Sequence, residues 1–138
     1  MIKEIVKDEE ILTKKSEQVS IEEAQEIITD LLDTANAHID NCAGLAAPQI
    51  GINKRVVVIR KDDSFFPMIN PIVIKKSGKK FLNHEGCLSL EGVRAVERYS
   101  SVLVNYTDGK GKRQTKTFNG TLAIIVQHET DHLNGILI

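Results

Sequence analysis

The chain has 138 residues, 18 Lys plus Arg against 19 Asp plus Glu, and is 41% hydrophobic and 27% charged. This is ordinary globular composition for one domain spanning residues 1–138, long enough to build a core without disulfides and too short for a second domain. A formal charge of −1 shows no basic excess, which argues against nucleic acid or an anionic membrane as direct partners, and no apolar run has the length of a membrane span or a secretion signal, so a cytoplasmic protein is expected.

In chain order, Ile21, Ala24, Ile27, Ile28, Leu31, Leu32 and Ala35 recur at three- and four-residue steps and predict a helix over residues 20–35. Ser20 is placed to cap it, with Glu23 reaching back in a capping box, and the helix should fade near Asp40 and Asn41. The small residues Gly44, Leu45, Ala46, Ala47 and Pro48, leading to Gln49, read as a loop. Residues 55–59 and 68–74 are rich in Val and Ile and predict two strands; Pro71 suits an edge strand or a bend in the second. Val102, Val104 and Tyr106 alternate with other residues. Turn chemistry then follows at Asp108, Gly109, Lys110 and Gly111, and residues 114–118 resume an extended pattern, together predicting a hairpin. Thr121, Leu122, Ile125, Val126 and Leu133 have helical spacing, ending at Asn134 and Gly135. Helices and strands do not alternate as βαβ units would, so the expected class is α+β, with antiparallel strands packed around the C-terminal helix and a further helix toward the N-terminus.

On that last helix His128, Glu129, Thr130, Asp131 and His132 form an H-E-x-x-H run. Imidazoles four residues apart leave one helix face together and can share a metal, while Glu129 can serve as general base toward a water at that metal. A catalytic site normally needs a third protein ligand. Downstream stand only Leu133, Asn134, Gly135, Ile136, Leu137 and Ile138, none able to ligate, so the third must come from upstream: Cys42, Cys87, His38, His84 or a carboxylate. Cys87, in the run Glu85, Gly86, Cys87, Leu88, Ser89, follows a glycine that permits close approach, and its thiolate would bind a divalent ion tightly. The other reading of a free cysteine, a packed small hydrophobe, stands beside it.

The three segments around Gln49, Cys87 and His128 resemble, in order, the peptide deformylase motifs G-x-G-L-A-A-x-Q, E-G-C-L-S and Q-H-E-x-D-H-L. The resemblance implies a hydrolase that removes the N-formyl group from formylmethionine at the start of nascent chains. It further implies Cys87, His128 and His132 as metal ligands and Glu129 as general acid/base. Oxyanion donors would be the Gln49 side-chain amide and the Leu88 backbone N–H. Substrate-backbone contacts would come from Gly44 and Arg94, and Ile124 and Ile125 are the local candidates for the methionine pocket. The family's usual ion is Fe(II), although a Cys/His/His set also accepts Zn(II), Ni(II) or Co(II). Cys42 stands at the family's first glycine and Ala43 at a larger aliphatic position; both are expected to face the substrate and modify its preference. The extension by which some members contact the ribosome is absent, so no ribosome tether of that type is expected. Two other functions use the same residues: a catalytically idle metal-binding relative, and an amidase or peptidase acting on a different N-acyl group.

Overall fold

A computed structural model describes all 138 residues, Met1–Ile138. The elements run α1 (Glu9–Leu12), α2 (Ile21–Ala37), β1 (Gly44–Ala46), β2 (Val56–Lys61), β3 (Ser64–Glu85), β4 (Arg94–Thr107), β5 (Arg113–Asn119) and α3 (Gly120–Leu133). The strands form one antiparallel sheet in sequence order, β1-β2-β3-β4-β5, so the α+β expectation holds.

Strand β2 shows how the sheet separates two cores. Its Val56, Val57, Val58 and Ile59 are all fully buried, and successive side chains point to opposite faces. Val56 and Val58 join Ile69 against Ala24, Ile27, Ile28, Leu31 and Ala35 of α2. Val57 and Ile59 join Met68, Val102 and Val104 against Ala123, Val126 and Leu133 of α3. A strand covered on both faces reads as a continuous apolar run, and each such side chain contributes about 1.5–3 kcal/mol of burial.

The helix ends follow local chemistry. Ser20 Oγ accepts from the Glu23 N–H at 3.2 Å, but Glu23 stays exposed and makes no return bond, so half of the expected capping box forms. Helix α2 ends at Ala37 and a short 3-10 turn, Ile39–Asn41, follows. At the far end of α3, Arg55 donates to the Leu133 carbonyl at 3.0 Å and to Asn134 Oδ1 at 2.9 Å. Gly135 then turns the chain at φ +74, where an added Cβ would stand 2.4 Å from the Thr13 carbonyl oxygen.

Three segments differ from the sequence reading. Strand β3 lies inside the sheet, not at its edge, and Pro71 is accommodated by a break in register between Ile69 and Ile72. There Asn70 adopts φ +49, held by side-chain bonds to both the N–H and the carbonyl of Val19, at 3.0 and 2.9 Å. Residues 44–46, read as loop, pair with β2 as β1. Strand β3 also continues through Lys75, Lys76, Gly78, Lys79 and Lys80 to Glu85, well past the predicted end.

Candidate metal centre

Four elements converge on one spot. Strand β1 and the 3-10 turn Ala47–Ile50 deliver Gly44 and Gln49, the end of β3 delivers Glu85 and the turn to Cys87, and α3 delivers His128, Glu129 and His132. Because α3 lies across the sheet face carrying Val57 and Ile59, its ligand-bearing turn abuts β1. A cavity of about 170 Å³ opens there, walled by Ala43, Gly44, Gln49, Leu88, Ile124 and Ile125 around Cys87, His128 and Glu129.

The donor atoms of Cys87, His128 and His132 lie within 4.8 Å of one another. His128 Nε2 and His132 Nε2 are 3.2 Å apart; a tetrahedral ion with metal–nitrogen bonds of about 2.0–2.1 Å sets its nitrogens about 3.3–3.4 Å apart. His38, His84 and Cys42 are not in the cluster. Burial lowers the His132 pKa to about 3, keeping the ring neutral as a ligand must be. Burial pushes the Cys87 thiol up, but hydrogen bonds from His128 and the Ser89 and Leu90 amides outweigh it and favour thiolate.

Behind the ligands sits an ionic network. Glu85 accepts from His128 Nδ1 at 2.7 Å, from Arg98 Nη2 and Nε at 2.8 and 2.9 Å, and from Asn83 at 2.9 Å. Arg98 Nη1 reaches on to Asp131 at 2.6 Å. Burial alone would raise the Glu85 pKa, yet these donors hold it at about 2, so its carboxylate fixes His128 with Nδ1 occupied and Nε2 turned to the cluster. Sequence reasoning missed this role of Glu85, Arg98 and Asp131. The signal was there in Arg98, a charge at the same strand parity as the buried Val102 and Val104.

Glu129 is 4% exposed, and its Oε1 is buried with no hydrogen-bond partner. Burial raises its pKa to about 7, suited to taking and returning a proton near neutral pH. The Gln49 amide is oriented from both ends: Oε1 accepts the Ala46 N–H at 3.0 Å, while Nε2 points to Ser89 Oγ at 3.2 Å and Cys87 Sγ at 3.7 Å. The donor set and the unpartnered carboxylate oxygen beside it fit a divalent ion with an adjacent reacting water.

One residue expected to face the substrate, Cys42, turns away from the cavity. Cys42 faces the core beneath α2, 3% exposed, with its thiol donating to the Gly44 carbonyl at 3.3 Å. Its φ of −123° needs no glycine, so a side chain is accommodated by turning inward, and burial followed by the nearby Glu129 charge pushes the thiol up to about 12. Arg94 is not in the cavity wall; it donates to the Glu91 carbonyl at 2.9 Å.

The Polypeptide deformylase family profile matches residues 2–138. The chain belongs to the peptide deformylase family. It is 44% identical over 138 residues to the peptide deformylase of Clostridium beijerinckii, covering 100% of both chains. It is also 44% identical over 131 residues to peptide deformylase 2 of Vibrio cholerae, covering 91% of this chain and 77% of that one. Among solved structures, a peptide deformylase from Synechococcus elongatus in complex with actinonin superposes with TM-score 0.89 at 37% identity, covering 99% of this chain and 75% of the other. A Met-Ala-Ser-bound class I type b peptide deformylase from Acinetobacter baumannii gives TM-score 0.89 at 34% identity, with 99% and 97% covered.

Within this deformylase framework Gly44 has a steric reason. A Cβ there would lie 2.8 Å from Glu129 Oε2 and 3.0 Å from Ile125 Cγ2. Gly44→Ala is therefore expected to displace Glu129 and lower kcat/KM by about 100-fold while leaving bound metal per chain unchanged. Steady-state kinetics with metal analysis checks this, and full activity in the variant would contradict it.

Proposed function

We propose that residues 1–138 act as a single catalytic domain that hydrolyses the N-formyl group of formylmethionyl peptides and nascent chains, releasing formate. The observation that carries this is the clustering of the Cys87, His128 and His132 donors beside a buried, unpartnered Glu129 oxygen in a small cavity. Cys87 Sγ and the Nε2 atoms of His128 and His132 would hold one divalent ion. When bound, that ion supplies Lewis acidity, lowering the pKa of a water and polarising the formyl carbonyl. The family resemblance favours Fe(II), and Zn(II), Ni(II) or Co(II) suit the same donors.

The chain's own residues do the rest. Glu129 takes the proton of the attacking water and returns it to the departing amine. Gln49 Nε2 and the Leu88 N–H donate to the oxygen that gains charge. Ala43 and Gly44 line the cavity beside the formyl position, and Ile124 and Ile125 offer apolar surface for the methionine side chain. Glu85, Arg98 and Asp131 keep His128 in place.

The small cavity favours formyl over larger acyl groups, which weighs against the broader amidase reading. Formate release from formylmethionyl-alanyl-serine is expected to exceed acetate release from its acetyl counterpart by about 10–200-fold or more, since each added methylene costs that much in a fitted site. Equal rates would sink the assignment of substrate.

A further inference from the structure

Helix α3 starts at Gly120, directly after β5, and beside its first turn the sheet face that it covers opens into a cleft of about 700 Å³. Cross-strand partners share a face. The pairings of Val102 with Phe118, Val104 with Lys116 and Tyr106 with Gln114 therefore put Phe118, Lys116 and Gln114 on this α3 side. Phe66, Tyr106 and Phe118 line the cleft, with Leu122 of α3 on one wall and Lys61 and Asp62 at the β2–β3 turn on another. None of its lining residues is shared with the metal cavity.

The apolar part of the cleft is a set of rings. Phe66 and Phe118 stack with centroids 6.2 Å apart and planes at 15°, and the Tyr106 ring stands 6.3 Å from Phe118 at 43°. Phe66 is half-buried, which leaves aromatic surface on which a further planar π-system can stack. The polar part is a donor. Tyr106 is 4% exposed and its ring lines the cleft, yet its hydroxyl has no partner within the chain, whereas a buried tyrosine hydroxyl ordinarily has one. Burial, followed by the Asp108 charge, raises its pKa, so the group keeps its proton to donate.

The rim carries two free cations. Lys61 and Lys116 are both exposed and unpaired. Asp108 is occupied by its own turn, accepting from the Lys110 and Lys112 amides at 2.9 and 3.0 Å and from Gln114 Nε2 at 3.0 Å. Asp62, exposed to water, is the other carboxylate of the cleft. We propose that this cleft is a second binding site, for a planar aromatic ring bearing an anionic group: the ring stacks on Phe66 and Phe118, an acceptor on it takes the Tyr106 hydroxyl proton in a hydrogen bond, and the anion meets Lys61 and Lys116. A nucleoside monophosphate and a heteroaromatic carboxylate share this chemistry, and an apolar cleft with a few placed polar groups suits either.

The test is equilibrium dialysis of the metal-loaded protein against adenosine monophosphate, pyridine-3-carboxylate, adenosine and inorganic phosphate. One equivalent of the monophosphate or of the carboxylate is expected to bind with Kd of about 1 mM or tighter, and whichever binds identifies the source of the ring. Adenosine and phosphate, each carrying half of the recognised chemistry, should bind at least about 10-fold more weakly. Tyr106→Phe is expected to weaken binding about 10-fold and Lys116→Ala about 3-fold, with the urea midpoint of Tyr106→Phe unchanged. Saturable binding by neither aromatic anion, or equal affinity in Tyr106→Phe, overturns the proposal. Phosphate binding as tightly as the monophosphate reduces the cleft to a cationic rim, and binding lost on stripping the metal belongs to the metal centre; either result also overturns it. A lowered midpoint in Tyr106→Phe would assign the hydroxyl to the fold, with the same consequence. None of these readouts passes through formate release, so this site and the deformylase reading fail separately.

Discussion

Glu129→Gln is expected to bind metal as wild type does, at one ion per chain, and to lose a factor of about 10²–10⁴ in kcat, the usual range for a positioned general acid/base. The substitution keeps shape and removes the ability to accept a proton. In the folded chain this carboxylate has one buried oxygen with no partner and a pKa lifted by burial to about 7. It is therefore placed and tuned to exchange a proton with a reacting group, not to hold the fold together. Binding should survive because the three donors are other residues. Retention of more than about a tenth of wild-type kcat would assign the proton transfer to another group.

Arg98→Met is expected to destabilise the chain by about 3–5 kcal/mol, the cost of stranding a buried charge whose partner has been removed. Arg98 is 2% exposed and joins Glu85 to Asp131 through three nitrogen–oxygen contacts of 2.6–2.9 Å. Without it, Glu85 stays buried with His128 and Asn83 as its donors. The same change loosens the orientation of His128, so metal affinity should fall about 10–100-fold in whatever protein remains folded. Urea unfolding and competition with a chelator read the two effects separately. A loss under about 1 kcal/mol would show that the network is dispensable, and the double variant Arg98→Met/Glu85→Gln should recover part of the stability.

Much of the scaffold was legible because it obeys local periodicity. The stripe from Ala24 to Ala35 is the face that α2 buries, Ile21 at its start staying exposed, and the Asp108–Gly111 turn joins β4 to β5 as its residues require. What escaped was set by tertiary contacts. Lys75, Lys76, Gly78, Lys79 and Lys80 have poor strand propensity, yet β4 pairs with Lys75, Lys76 and Lys80 and takes up Gly78 and Lys79 in a shift of register. Gly44, Leu45 and Ala46 look like a loop until β2 lies beside them.

The site divided the same way. Spacing placed His128 and His132 on one helix face, and the lack of downstream ligands sent the search upstream toward Cys87. The direction of Cys42, by contrast, depends on the space beneath α2, and the Glu85–Arg98–Asp131 network joins residues from three elements distant in sequence. The net charge of −1 likewise concealed a helix, α2, whose carboxylates have no cation of their own.

The most direct measurement is anaerobic titration of the metal-stripped chain with Fe(II), following formate release from a formylmethionyl peptide in wild type and Cys87→Ser. The rate in wild type should rise linearly and level off at one ion per chain, with Cys87→Ser needing far more ion to reach any plateau. Full formate release from the stripped protein, or an identical titration in Cys87→Ser, would contradict a Cys87, His128 and His132 centre as the seat of the reaction.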